Sequence, residues 1–222
     1  MKDPVSTNDF VAHAAARHFK IEVPALIEPV WAATVARWHQ LDESTYAVVE
    51  AAYRFSQLNT DEWRRVWPKT IWLAATGGSN AADYDFVANG SRSPSRFVGT
   101  LPSIRSSSLA LMMNWRGPVM CLLSGEKTLE QGFEEMYWHL RARKSEPAWL
   151  VTSTRIAKEN KFEHLVSFFC FGSDLEGGFI FSKMSEQRGE HSLNHLNLVA
   201  HCENTKTNQI NIGLGLTLVR KT

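Results

Sequence analysis

Apolar positions along the chain fall into two textures. Over residues 7–58 they recur at three and four. Phe10, Val11, Ala14, Ala15 and His18 follow an i, i+1, i+4 spacing. Pro24 opens a stretch with Val30, Trp31, Val35 and Trp38 on one face, and Tyr46, Val49, Tyr53 and Ser56 repeat behind Asp42. This period gathers side chains on one side of a helix. Asp42 suits the N-cap, where its carboxylate accepts from free backbone N–H groups. The pattern predicts a helical part over 1–64.

From residue 69 the apolar runs shorten. Residues 70–75, 119–123 and 148–153 are unbroken apolar stretches closed by Gly, Pro or charged residues, which predicts buried strands. Residues 79–102 read as loop, with Asn89-Gly90 and Ser93-Pro94 as turn signals, and 103–115 return to a helical period. The next helix is the clearest. Leu129, Phe133, Met136, Tyr137 and Leu140 form one stripe, and Thr128 and Gln131 have capping-box spacing. Strand, helix, strand, helix, strand predicts a parallel arrangement with right-handed crossovers. After residue 160 the pattern is strand upon strand: 162–171, 177–184, 196–202 and 209–219. In the last, Ile210, Ile212, Leu214, Leu216 and Leu218 alternate as one buried face. No linker divides the chain, so the reading is one domain over 1–222, with 160–222 as its strand-rich end.

Composition narrows the function classes. The 222 residues hold 24 Lys and Arg against 23 Asp and Glu, a net charge of +1. That balance argues against nucleic acid or an anionic membrane as a partner held by bulk charge. No apolar run approaches the roughly 18 residues of a membrane span. The first ten residues lack the apolar core of a signal peptide. Cys121, Cys170 and Cys202 show no CxxC pair, as expected of a reduced, cytoplasmic protein. Eight Trp and twelve Phe call for a large core or a covered interface. The eight histidines are scattered, without HExxH or Cys–His zinc spacing, and no phosphate-binding glycine motif occurs, so no metal or cofactor is expected.

One region is more specific. GPVMCLLSGEKTLEQGF (117–133) reads as a turn, a strand, a Ser-Gly-Glu corner and a helix. This is similar to the nucleophile corner of the thiolase fold. SPSRFVGTLPSIRSSSLALMMNWRGP (93–118) resembles the stretch ahead of the active-site cysteine in β-ketoacyl synthases. KTIWLAATGG (69–78) resembles the strand before that stretch, and AWLVTSTR (148–155) the strand after the corner. The resemblance covers about 65–155. It implies an α/β thiolase-like fold, half of a ketosynthase, with a mixed, mostly parallel sheet and flanking helices.

The departures from that family carry the functional reading. Counting on from Gly117-Pro118, the nucleophilic cysteine belongs at position 126, and Glu126 stands there. A carboxylate cannot form the acyl thioester. It is favoured at a helix N-terminus by about 0.3–1 kcal/mol without any chemistry. Cys121 belongs to the preceding strand and is no substitute, because buried thiols of that kind are inert. A full synthase is about twice this length and supplies two histidines from its second half; neither histidine motif occurs here.

A ketosynthase-like chain without the cysteine resembles a chain length factor, and the short form resembles the ketosynthase-like subunits of aryl polyene type II polyketide systems. That resemblance implies a catalytically inactive subunit in a heterodimer with a ketosynthase subunit. The strand Val119, Met120, Cys121, Leu122 and Leu123 would pair antiparallel with its counterpart at the dimer interface. Phe97 matches a phenylalanine that reaches across the dimer. Tyr84 and Phe86 match the region that plugs the acyl tunnel, and Arg92, Arg96, Arg105 and Arg116 would meet an acidic acyl carrier protein. The alternative is a decarboxylating enzyme that acts on a malonyl thioester through Glu126.

Overall fold

A computed structural model describes residues 10–23, 27–58, 67–76, 87–88, 90, 102–123, 125–143, 146–158, 161–172, 175, 178–183, 194–204 and 206–221. The strands are β1 (Val11–Glu22), β2 (Thr70–Thr76), β3 (Val119–Leu122), β4 (Ala148–Lys158), β5 (Lys161–Gly172), β6 (Phe179–Lys183), β7 (Gln209–Gly213) and β8 (Leu216–Arg220). The helices are α1 (Glu43–Gln57), α2 (Pro102–Met112), α3 (Thr128–Ala142) and α4 (His195–Glu203). The strands form one sheet in the order β3-β2-β4-β5-β1-β6-β8-β7.

The sheet is mixed and flanked by helices, as expected, but its balance is antiparallel rather than mostly parallel. Only β2 runs parallel to its neighbours, β3 and β4. Parallel neighbours need a long crossover, and α2 and α3 supply one only between these three strands. From β4 onward, where Lys158 pairs with Lys161, the remaining ladders are antiparallel.

Three segments depart from their periodicity. Residues 11–22 form a strand, not a helix. β1 lies inside the sheet between β5 and β6, with Ala12 and Ala14 packed on one face and Ala15 and Ile21 on the other. A strand covered on both faces has no single apolar side, so its small residues imitate a helical spacing. Residues 30–40 make turns and a 3-10 turn, Trp38–Gln40, in place of a second helix. Trp31 and Val35 still bury against Tyr46 and Val49 of α1. Residues 196–202, read as a strand, form α4. Its buried residues His195, Leu198, Val199 and Cys202 keep helical spacing, and Asn194 caps it by accepting from the Asn197 N–H at 2.9 Å.

Residues 209–219 are a hairpin rather than one strand. The alternation runs through the turn by coincidence of spacing, and Leu214 sits at the tip, not on the buried face. The predicted helix over 42–57 is present as α1, with Asp42 accepting from Thr45 N–H at 2.9 Å and from the Thr45 hydroxyl at 2.8 Å.

Two cores lie on either side of the sheet. Under α3 and α4, Leu129, Phe133, Met136 and Leu198 pack on Ala74, Leu150, Phe169 and Phe181. Under α1 and α2, Val48, Phe55 and Leu109 pack on Leu73, Trp149, Val151 and Phe168. Ile210, Ile212, Leu216 and Leu218 belong to the first of these cores, so the strand-rich end completes the same sheet and core.

Candidate functional site

The corner that follows β3 is held from three sides. After Leu123 the chain enters a 3-10 turn, Gly125–Lys127, and then α3. Gly125 takes φ 62, which favours glycine. The cap position is held by Lys127 of the 3-10 turn, whose side chain makes no cap bond, and not by Thr128 as the spacing predicts. Instead the Thr128 hydroxyl donates to the Gly125 carbonyl at 2.8 Å. One turn further, a Cβ at Gly132 would stand 2.9 Å from Ala74 Cβ and 3.1 Å from Leu150 Cδ1. Glycine therefore lets α3 lie close on β2 and β4. Glu126 is the middle residue of the 3-10 turn, directly ahead of α3.

β3 ends the strand order. Among the described residues only β2 pairs with it. Its side chains are not the fully buried set that an unbroken apolar run predicts: Val119, Cys121 and Leu122 are partly buried, Met120 is 46% exposed and Leu123 39%. Among the described residues no strand covers the outer edge of β3. Burial raises the Cys121 thiol pKa and the Arg105 charge lowers it only in part, so the thiol stays protonated. The opposite end of the sheet is finished differently. β7 carries a register break between Asn211 and Gly213, and Gln209 and Asn211 are exposed. Bulges and polar edges discourage further pairing, and β3 has neither.

The structure gathers two histidines that look unrelated in the sequence. On the face under α4, the Ser167 hydroxyl lies 2.8 Å from His18 Nδ1 and 2.8 Å from His195 Nε2. The same His195 Nε2 is 2.8 Å from Thr152 Oγ1, and His195 Nδ1 is 2.9 Å from Thr154 Oγ1. Sheet register makes the row, since Ser167 pairs with both His18 and Thr152. Burial, with a lesser push from His18, lowers the His195 pKa to about 3. Burial and then Arg17 lower that of His18 to about 4. Both rings are neutral, with one donor and one acceptor nitrogen each. Both nitrogens of His195 are occupied and the residue is 3% exposed, so it is committed to holding α4 on the sheet. Four segments contribute to this network. The only sequence signal was the position of His195 on the buried stripe of α4.

On the other face Arg105 of α2 is 4% exposed, with an Nη nitrogen 3.9 Å from Asp42 Oδ1. It is therefore withdrawn from the basic face expected to meet a carrier protein, whereas Arg116 is exposed. His164 is buried nearby, 3.9 Å from Glu43 Oε2. Burial first, then Arg155 and Arg105, lower its pKa to about 4, against a smaller raising effect of Asp42. Tyr84, Phe86, Phe97, Arg92 and Arg96 lie outside the described residues, as does the side chain of Glu126. Among the described residues, no group of His, Cys, Asp and Glu could hold a metal ion, and no helix is long and apolar enough to cross a membrane.

No protein-family model and no curated protein matches the sequence. Among solved structures the chain is similar to one in the complex of a ketosynthase (ApeO) with its chain length factor (ApeC) from Xenorhabdus doucetiae. The TM-score is 0.55 at 14% identity, over 82% of this chain and 78% of that chain. The likeness is one of fold: a mixed α/β, ketosynthase-like thiolase fold. The two covered shares make the matched chain about as long as this one.

Proposed function

We propose that this chain is a non-catalytic subunit that pairs with an active ketosynthase and shapes the acyl chain which that partner builds, the role of a chain length factor. The observation that carries the reading is the fold match to a chain of similar length in a ketosynthase–chain length factor complex. A complete synthase would be about twice as long.

Two further features support the reading. The corner carries Glu126 where a condensing enzyme needs a thiol. And β3 offers an unfinished edge with half-exposed Met120 and Leu123, which antiparallel pairing with a partner strand would cover. In the complex, Phe97 reaches toward the partner's site. Tyr84 and Phe86 close an apolar tunnel by bulk, since a further two-carbon unit must clash or distort. Arg92, Arg96 and Arg116 steer an acidic acyl carrier protein by charge. The work is cytoplasmic and the product an aryl polyene. Decarboxylation through Glu126 gains nothing from His18 and His195, because hydroxyl groups already bind them inside the fold.

Co-expression with a full-length ketosynthase followed by size-exclusion chromatography tests the reading. A stable 1:1 complex is expected, with polyene synthesis only when both chains are present. A monomer that ignores the synthase, or that becomes acylated by itself, would overturn it.

A further inference from the structure

The edge formed by β2 and β3 covers two polar atoms that the described residues leave unbonded. Trp72 of β2 is the register neighbour of Met120 of β3, so the two side chains stand on the same face of the sheet. Trp72 is 9% exposed and belongs to the core under α3. The His139 ring of α3 meets its indole edge-on, with centroids 6.0 Å apart. Among the described residues, neither Trp72 Nε1 nor His139 Nε2 has a hydrogen-bond partner, and both atoms are shut off from solvent. Such orphans are rare in folded proteins, because each forfeits its bonds to water. An apolar side chain would avoid that loss. Polar atoms kept at the outermost pair of strands point to a group that arrives from outside.

The surroundings define the chemistry of that group. An indole N–H only donates. Burial first, then Arg143, lower the His139 pKa, against a smaller raising effect of Glu146. The ring is therefore neutral, with one N–H to give. Arg143 stands one helical turn beyond His139, its guanidinium largely exposed and 3.3 Å from Glu146. Two donors and a nearby cation suit a carboxylate. Met120, the β3 side chain beside Trp72, is half exposed and unbranched, so it can turn aside when a strand docks.

We propose that Trp72 and His139 form a recognition site for a carboxylate side chain of the ketosynthase, which enters beside β3 when the two chains pair. The inference rests on the chain length factor reading, and its test separates the two. The native chain, His139→Leu, His139→Gln and Trp72→Phe are each titrated with purified ketosynthase by calorimetry, and urea unfolding of each chain alone is measured alongside. His139→Leu removes an unpaired polar atom, so the lone chain should unfold at or above the native urea concentration while its binding weakens about tenfold. His139→Gln keeps a donor and should bind at close to native strength. Trp72→Phe loses ring volume as well as the N–H, so its unfolding midpoint should fall and its binding weaken about tenfold. Native affinity in both His139→Leu and Trp72→Phe would remove the site and leave the subunit's role standing. A lower unfolding midpoint for His139→Leu would show that Nε2 is bonded inside the fold, and would overturn the site as well. Failure of the native chain to bind the synthase would remove both the site and the role.

Discussion

Ser167 and His195 meet at 2.8 Å, hydroxyl to Nε2, with both residues buried. The contact joins the middle of the sheet to the first turn of α4. Replacing Ser167 by Ala takes this bond from His195 and the 2.8 Å bond from His18. His195 Nε2 keeps Thr152 Oγ1 at 2.8 Å, but His18 Nδ1 loses its hydroxyl partner, and leaving a buried polar group unpaired costs about 1–3 kcal/mol. Urea denaturation should show that loss for Ser167→Ala. A change below about 0.5 kcal/mol would mean that the Ser167 bridge between His18 and His195 adds nothing to stability.

Stability should fall with acid from a definite starting point. The histidine pKa is 6.5 when unperturbed, but about 4 for His18 and His164 and about 3 for His195. Unfolding therefore takes up protons as the pH drops below about 6.5. The neutral native forms are fully stabilising above that value. The contribution declines toward pH 4 for the first two and toward pH 3 for the third. Each histidine adds about 1.4 kcal/mol per pH unit to the slope within its window. Thermal or urea unfolding between pH 7 and 4.5 measures this, and a flat profile would contradict the neutral, buried assignment.

Gly132→Ala sets two effects against each other. In an exposed helix the change gains about 1 kcal/mol. Here the new methyl would meet Ala74 Cβ at 2.9 Å and Leu150 Cδ1 at 3.1 Å. Overpacking of that kind costs about 1–3 kcal/mol, so a net loss of stability is expected in chemical denaturation. A gain would show that α3 can lift from β2 and β4 without strain.

Met120→Lys and Leu123→Lys separate folding from partnership. Both side chains are substantially exposed in the single chain, so the unfolding midpoint should move by no more than about 0.5 kcal/mol in stability terms. Binding of a ketosynthase, read by size-exclusion chromatography, should weaken at least tenfold if β3 is the contact. Native binding by both variants would move the interface elsewhere.

The fold was legible where one rule acted alone. α3 shows a single stripe from Leu129 to Leu140. β2 and β4 are covered on both faces and read as unbroken apolar runs, and Asp42 caps α1 through its own side chain. It was not legible where neighbours decided the outcome. Nothing local tells Ala12, Ala14 and Ala15 that β5 and β6 will flank them. In 209–219 the inward alternation of two short strands continued across the turn at Leu214. The corner around Gly125 could be placed from its strand and helix. The histidine network could not, because His18, Thr152, Ser167 and His195 meet only through sheet register and the docking of α4.

The open side of β3 makes supply a matter of proportion. Val119–Leu122 is only four residues long, too brief to recruit strangers firmly, since short edge strands limit unwanted pairing. On the proposed pairing, a partner must add side-chain burial to those few backbone bonds. On that pairing, a polypeptide synthesised in surplus over its partner would leave the side chains of Met120 and Leu123 uncovered. Synthesised in step, it would never be alone long enough for the flank to matter.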